Sequence, residues 1–294
     1  MDDIPLWGLM REAWAELNKP IDLALEPVIA ESGQSGRHWG LLLAALTFEP
    51  DNTTAAHLMV RSPYTSAEEY GFRLSTAAGL CFLEEVAPGS FRLTSAGRTA
   101  VQYFIEKART AIAACDPLPP EDSNRLSTIL ARLVKSCLEA QTPPETWSIQ
   151  LSYKLMPESQ PPLPFIEQAF SCLSAYRDDA HLAAWQGSDL TATALEVLTL
   201  LWRREVKSLA EVTDELVHRG HPMQVYADAV EELRYRGFVE GTEHTLRLTL
   251  EGQRFRDQVE ADTDRLFFAP WSQLSEAERD ELASLLVRLR YGLL

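Results

Sequence analysis

The sequence predicts a mainly α-helical fold with two small β-hairpins, in which one unit is repeated in tandem on a shared helical base. Three observations predict it. The short signature L-T-x-x-G occurs once in each half of the 294 residues. Segments before and after it recur in the same order at nearly the same offset. Apolar residues follow helical spacing through most of the chain, broken in each half by one pair of short strand-like segments.

The repeat is specific. Phe91-Arg92-Leu93-Thr94-Ser95-Ala96-Gly97-Arg98 answers to Leu246-Arg247-Leu248-Thr249-Leu250-Glu251-Gly252-Gln253, with the two glycines 155 positions apart. Downstream, Asn124 to Leu133 answers to Asp280 to Leu289 at an offset of 156. Upstream, Trp39 to Thr47 and Ala194 to Trp202 are both amphipathic. One register held over three segments argues for a copied unit.

In the first copy a helix is expected from Trp39 to Phe48, and a second over about Thr53 to Arg61. Ser66 with Glu69 caps a third, whose buried face is Tyr70, Leu74 and Ala77. Leu80-Cys81-Phe82-Leu83 then reads as a strand whose alternation points Cys81 inward. The chain turns at Val86 to Ser90, returns over Phe91 to Leu93, and continues as a helix carrying Val101, Phe104, Ile105, Ala108 and Ile112 toward a partner. Residues 139–164 form a Pro-rich link in which Ile149 to Tyr153 alternates like an extended arm.

The second copy follows the same plan. Thr193 with Glu196 makes a capping box before the stripe Leu195, Leu198, Leu201 and Trp202. Ser208 with Glu211 caps a helix that stops at Gly220, and Pro222 suits the first turn of a third helix buried through Val225, Ala229 and Leu233. Phe238 to Glu240 and Leu246 to Leu248 read as strands around a wing at Gly241 to Thr245. A long helix with Phe255, Val259 and Leu266 on one face ends at Pro270, and Ser275 with Glu278 caps the last helix. The expected divisions are 1–138, the link 139–164, and 165–294.

Length and composition agree with two domains, since 46% hydrophobic residues suffice for two cores. No apolar run approaches the ~20 residues needed to span a bilayer. The start Met1-Asp2-Asp3-Ile4-Pro5 lacks the basic segment of a signal peptide. Cys81, Cys115, Cys137 and Cys172 are far apart with no C-x-x-C pair, as expected of reduced thiols in a cytoplasmic protein. The net charge of −16 is shared between the halves, so any polyanionic partner must be held by local patches.

Three helices and a wing, then L-T-x-x-G and two long helices, resemble the MarR family of winged helix-turn-helix regulators, once per half. Glu251-Gly252 through Trp271 also looks like an uncharacterised group of actinobacterial helix-turn-helix proteins, above all at Glu260-Ala261-Asp262-Thr263-Asp264-Arg265 and Ala269-Pro270-Trp271. The MarR resemblance implies a transcriptional regulator that binds double-stranded DNA, each third helix in a major groove and each wing at a minor groove. It also implies a dimerisation base, which one chain with two copies fills internally as a monomeric pseudo-dimer with a pseudo-two-fold axis. The DNA-contact candidates are Arg73, Gln224 and Arg234 on the third helices and Arg92 and Arg247 on the return strands. Carboxylates surround the helical candidates (Glu68, Glu69, Asp228, Glu231), and the wing tips Ala87 to Ser90 and Gly241 to Thr245 carry no arginine. The alternative is a winged-helix scaffold that has given up DNA for a protein partner or a small-molecule effector.

The remaining clusters read as structural. Asp214, His218 and His221 span a turn, where solvation explains them better than a metal. Within Arg177-Asp178-Asp179-Ala180-His181 an Asp helix cap is sufficient. No catalytic constellation or phosphate loop appears, so no enzyme, metal or cofactor is expected. The seven tryptophans are expected mainly in cores, with an effector cavity between base and winged units as the other use.

Overall fold

The computed structural model describes residues 3–157 and 161–294. Met1 and Asp2 of the acidic start, and residues 158–160 of the Pro-rich link, lie outside the described residues. A long helix α1 (Asp3–Ser32) comes first, and its 30 residues have no counterpart among the expected elements. There follow α2 (Gly36–Phe48), a short strand β1 (Thr53–Thr54), α3 (Ala55–Arg61), α4 (Ala67–Gly79), the hairpin β2 (Leu83–Ala87) and β3 (Ser90–Leu93), and the helices α5 (Ser95–Ala113) and α6 (Pro120–Leu138). A short helix α7 (Trp147–Tyr153) leads to the long α8 (Pro162–Trp185). Then come α9 (Ala192–Arg203), α10 (Leu209–Glu215), α11 (Met223–Tyr235), the hairpin β4 (Val239–Thr242) and β5 (Thr245–Leu248), α12 (Leu250–Phe268) and α13 (Glu276–Leu293). The order helix, helix, helix, hairpin, helix, helix therefore occurs twice, each time after a long helix.

The recurrent signature has a physical basis. Thr94 caps α5 by accepting from Gly97 N at 2.9 Å, while its hydroxyl reaches Cys81 O at 2.6 Å. Thr249 does the same for α12, accepting from Gly252 N at 3.0 Å and reaching Gly237 O at 2.7 Å. The glycine is needed because the residue that enters each hairpin, just before its first strand, lies against the helix. A Cβ on Gly97 would lie 1.9 Å from Phe82 O, and one on Gly252 would lie 2.2 Å from Phe238 O. L-T-x-x-G thus ties each hairpin to its following helix.

Packing produces two heads and a base. One core gathers Trp39, Leu42, Leu74, Phe91 and Phe104 of the first head, and another Leu198, Val212, Tyr226, Leu233 and Leu246 of the second. The largest core joins α1, α6, α8 and α13. Leu126, Ile129, Leu130 and Leu133 of α6 are buried there, as are Leu282, Leu285, Leu286 and Leu289, each 156 positions later in α13. Arg132 pairs with Glu278, and Arg288 pairs with Asp122 at 2.5 Å. These are one ion pair with the halves exchanged. Arg125 and Glu281, themselves 156 apart, form a bidentate bridge at 2.9 and 2.6 Å.

Several expected details are corrected. Thr53 and Thr54 do not begin α3; they pair antiparallel with Phe91 and Ser90 and give the first hairpin a third strand. The first hairpin strand begins at Leu83, and Cys81 is exposed with φ +62, because it ends α4 in the left-handed region. Ile149 to Tyr153 belongs to helix α7, whose buried Ser148, Ile149 and Ser152 lie on α8. The cap of α9 is Thr191, which accepts from Ala194 N at 3.2 Å, so Thr193 already lies inside the helix. On α11 the buried positions are Tyr226, Ala229, Val230 and Leu233, with Val225 only half-buried. Arg177 to His181 lie inside α8, where buried Asp179 accepts Ser148 N at 2.8 Å and Ile149 N at 3.0 Å, capping α7 from a neighbouring helix.

Candidate nucleic-acid interface

The third helices are built as the sequence requires. Ser66 caps α4 through Glu69 N at 3.0 Å, and Tyr70, Leu74 and Ala77 turn inward. What remains outside on α4 includes Glu68, Phe72 and Thr76; on α11 it includes Met223, Gln224, Asp228, Glu231 and Tyr235. Phe72 is 68% and Tyr235 94% exposed, so both aromatic rings face solvent. These faces are acidic and apolar.

The five candidate contact residues are each engaged within the chain. Arg73 donates to Glu69 at 2.7 Å and to His218 O, in the second head, at 2.7 Å. Gln224 donates to Asp228 at 2.9 Å. Arg234 pairs with Glu231 and donates to Gly241 O at 2.8 Å, bracing the second hairpin. Arg92 pairs with Glu84 across the first hairpin at 2.5 Å, and Arg247 with Glu240 across the second at 3.4 Å. The two wing arginines stay largely exposed, and exposed pairs of this kind are worth at most about 1 kcal/mol, so a phosphate can displace them. Arg73 is different, because its carbonyl partner belongs to a contact between the heads.

That contact joins the turn before α4 to the turn before α11. Ser66 N donates to Arg219 O at 2.9 Å, and Ser66 Oγ to Gly220 O at 3.3 Å. His221 Nε2 lies 3.0 Å from Tyr64 O, so its ring serves this junction. Arg219 stacks over the Tyr64 ring and reaches Thr65 Oγ1 at 3.3 Å while holding Glu196 Oε1 at 2.6 Å. Gly220, at φ +72, permits the approach; a Cβ there would meet Glu69 Cβ at 2.4 Å. The N-terminal ends of both third helices are therefore held together. None of these residues was marked by the sequence pattern as making this contact, because the signal for it lies in the packing of two distant turns.

Behind the junction lies a cavity of about 400 Å³ between heads and base. Arg177, Asp178 and His181 line it, together with Arg219, Glu196 and Arg256. His181 Nδ1 lies 3.2 Å from Thr263 Oγ1, whose proton goes to Val259 O at 2.7 Å. The threonine can only accept from the ring, so Nδ1 carries the hydrogen and Nε2 is left as an acceptor. Burial first, then Arg256, pushes the His181 pKa down to about 4 and keeps it neutral. Burial alone would raise the Glu260 carboxyl, but Arg256 and Arg177 overcome that and hold it below its ordinary range.

No described helix is long and apolar enough to cross a membrane. No group of three or more metal-ligating side chains is found among the described residues. No curated protein and no solved structure matches the chain. Residues 152–293, which run from α7 through the second head to α13, match the Helix-turn-helix family, so the second half of the chain contains a helix-turn-helix domain.

Proposed function

We propose that the chain is a DNA-binding regulator of MarR-like plan, a monomer whose two winged heads, within 1–138 and 165–294, share one helical base. The observation that carries this reading is recurrence. The helix-turn-helix region matched in the second half has the same element order, the same Thr cap and the same close-approach glycine in the first. In such regulators the N-terminal residues of the recognition helix read base edges, and paired half-sites lie ~34 Å apart. With the third-helix ends hydrogen-bonded together, the described form is closed, and two-headed reading of successive grooves requires the junction to open.

A salt-dependent titration against a library of duplexes tests this, using the wild type and Arg219→Ala. The variant loses the ties to Glu196 and Thr65 and is expected to bind more tightly. Few cations serve the heads, so log K should fall with log salt at about −0.9 per phosphate contact for five contacts or fewer. Absence of binding above the nonspecific level by both proteins overturns the reading. One observation favours a second: exposed Phe72, Met223 and Tyr235 among Glu68, Asp228 and Glu231 suit a protein partner better than phosphates. Phe72→Ala with Tyr235→Ala separates the two, because it leaves every candidate DNA contact in place and removes the anchors of a protein interface.

A further inference from the structure

We propose that the first head carries a docking pocket for a partner protein, shaped for one large apolar side chain flanked by carboxylates. The pocket opens among α2, α3 and α4, with α7 along one side. Leu41, Phe48, Leu58, Tyr70 and Leu151 supply its apolar wall, and Arg37, Arg61 and Arg73 its charge. No carboxylate is found among its described lining residues, although the chain carries a net charge of −16. Size chooses the occupant. The volume of about 220 Å³ lies below the ~300–1,000 Å³ usual for small-molecule sites and suits one leucine, methionine or phenylalanine side chain. Apolar anchors set in such pockets carry much of the affinity of protein interfaces.

The polar inventory fixes the flanks of that anchor. Two hydroxyls of the lining are already committed, Thr47 Oγ1 donating to Ala44 O at 2.7 Å and Tyr70 OH to Ser62 O at 3.4 Å. Arg37 is exposed and makes no hydrogen bond or ion pair among the described residues. Arg61 holds Asp178 loosely, at 3.8 Å with both side chains about half exposed. Exposed pairs of this kind are weak, so both guanidiniums are free to turn to a partner's carboxylates. Arg73 connects the pocket to the head junction, because its Nη2 donates to His218 O at 2.7 Å. A carboxylate drawn to Arg73 competes with that tie. The site belongs to one copy of the repeat. Arg61 ends α3, whereas Glu215 ends α10, the equivalent seven-residue helix, and α9 has no arginine before Arg203. Docking here is therefore separate from the plan that the two heads share.

The experiment is fluorescence polarisation of a labelled, end-blocked peptide, in which glutamate alternates with leucine, titrated with the whole chain. One control peptide replaces the leucines by serine, and another replaces the glutamates by lysine. The acidic leucine peptide is expected to bind saturably, and each control at least ~tenfold more weakly, because one lacks the apolar anchor and the other the charge match. Raising NaCl from about 50 to about 500 mM should weaken the acidic peptide further. Arg37→Ala with Arg61→Ala removes two exposed side chains and should weaken binding ~tenfold with Tm unchanged. Gly40→Leu is the second variant. Gly40 lines the pocket, a Cβ there meets nothing within 4 Å, and α2 gains helix propensity, so the variant folds with a side chain over the pocket. It should erase the preference for leucine over serine. Equal binding of the acidic and basic peptides, no saturable binding, or binding unchanged by both variants overturns the proposal. Duplex DNA that depends on Arg37 and Arg61 where the peptide does not would assign these arginines to phosphates and overturn it as well. Neither arginine is among the five candidate DNA contacts, so this site and the DNA reading stand or fall separately.

Discussion

Cys81 and Gly237 occupy the same point of the two halves, each closing a third helix in the left-handed region at φ +62 and +73. In both, the next amide reaches back to close the helix, Phe82 N to Ala77 O at 3.0 Å and Phe238 N to Leu233 O at 2.9 Å. A side chain costs about 1 kcal/mol in that conformation. Cys81→Gly is therefore expected to raise stability by about that amount in urea titration, and a loss of stability would show that the cysteine makes a compensating contact. His181 carries a pH dependence of the opposite kind to the usual salt-bridged histidine. Its folded pKa of about 4 lies below the ordinary 6.5, so the unfolded chain takes up the proton first. Its contribution is present above pH 6.5 and is lost as pH falls toward 4. Asp179, raised to about 6 chiefly by burial, works against this: its contribution is full below pH 3.8 and fades as pH rises through 6. His181→Gln should flatten the fall of stability between pH 6.5 and 4, and an unchanged slope would assign that fall to other groups.

Elements were legible where local chemistry specifies them. The caps at Ser66, Ser208 and Ser275, the buried face of α4, and Leu195, Leu198 and Leu201 of α9 follow from spacing alone, whereas Trp202 of that stripe is only half-buried. Short or unusual elements were not. Five residues of α7 fit a strand as well as a helix, and the cap that decides between them, Asp179, comes from α8. α1 contains Pro20 and Pro27, which ordinarily break a helical reading. Cavity residues were hidden for a related reason: Arg256 lies four positions before Glu260 and reads as part of a solvated face, yet it is buried. The junction of hairpin and helix was visible as L-T-x-x-G, but its reason was not. Gly252→Ala, and equally Gly97→Ala, would drive a methyl group into a backbone carbonyl. A loss of about 1–3 kcal/mol is expected by chemical denaturation, the usual cost of overpacking a well-packed site. A loss under 0.5 kcal/mol in both would mean that the hairpins shift freely and that the signature has another role.

At the scale of the whole molecule, corresponding segments of the two halves meet at the base and at the heads. At the base, α6 and α13 bury the same four positions, and the pair Arg132 with Glu278 is matched by Arg288 with Asp122. At the heads, the turns before the two third helices are hydrogen-bonded together. Residue i meeting j while the counterpart of j meets the counterpart of i is the isologous pattern of a two-fold dimer, and these two ion pairs between α6 and α13 follow that pattern. The apolar faces of α6 and α13 are consumed internally. A second chain can use them only by exchanging helices, against the effective concentration that linkage gives to the first arrangement, roughly millimolar for a suitable linker. Light scattering at micromolar protein should therefore give the mass of one chain. Replacing Leu130 and Leu286 together by alanine should destabilise that monomer, by about 2–5 kcal/mol per site, without producing a dimer. A stable wild-type dimer with exchanged α6 and α13 would mean that the internal pairing is not preferred, and the single-chain arrangement would fall with it.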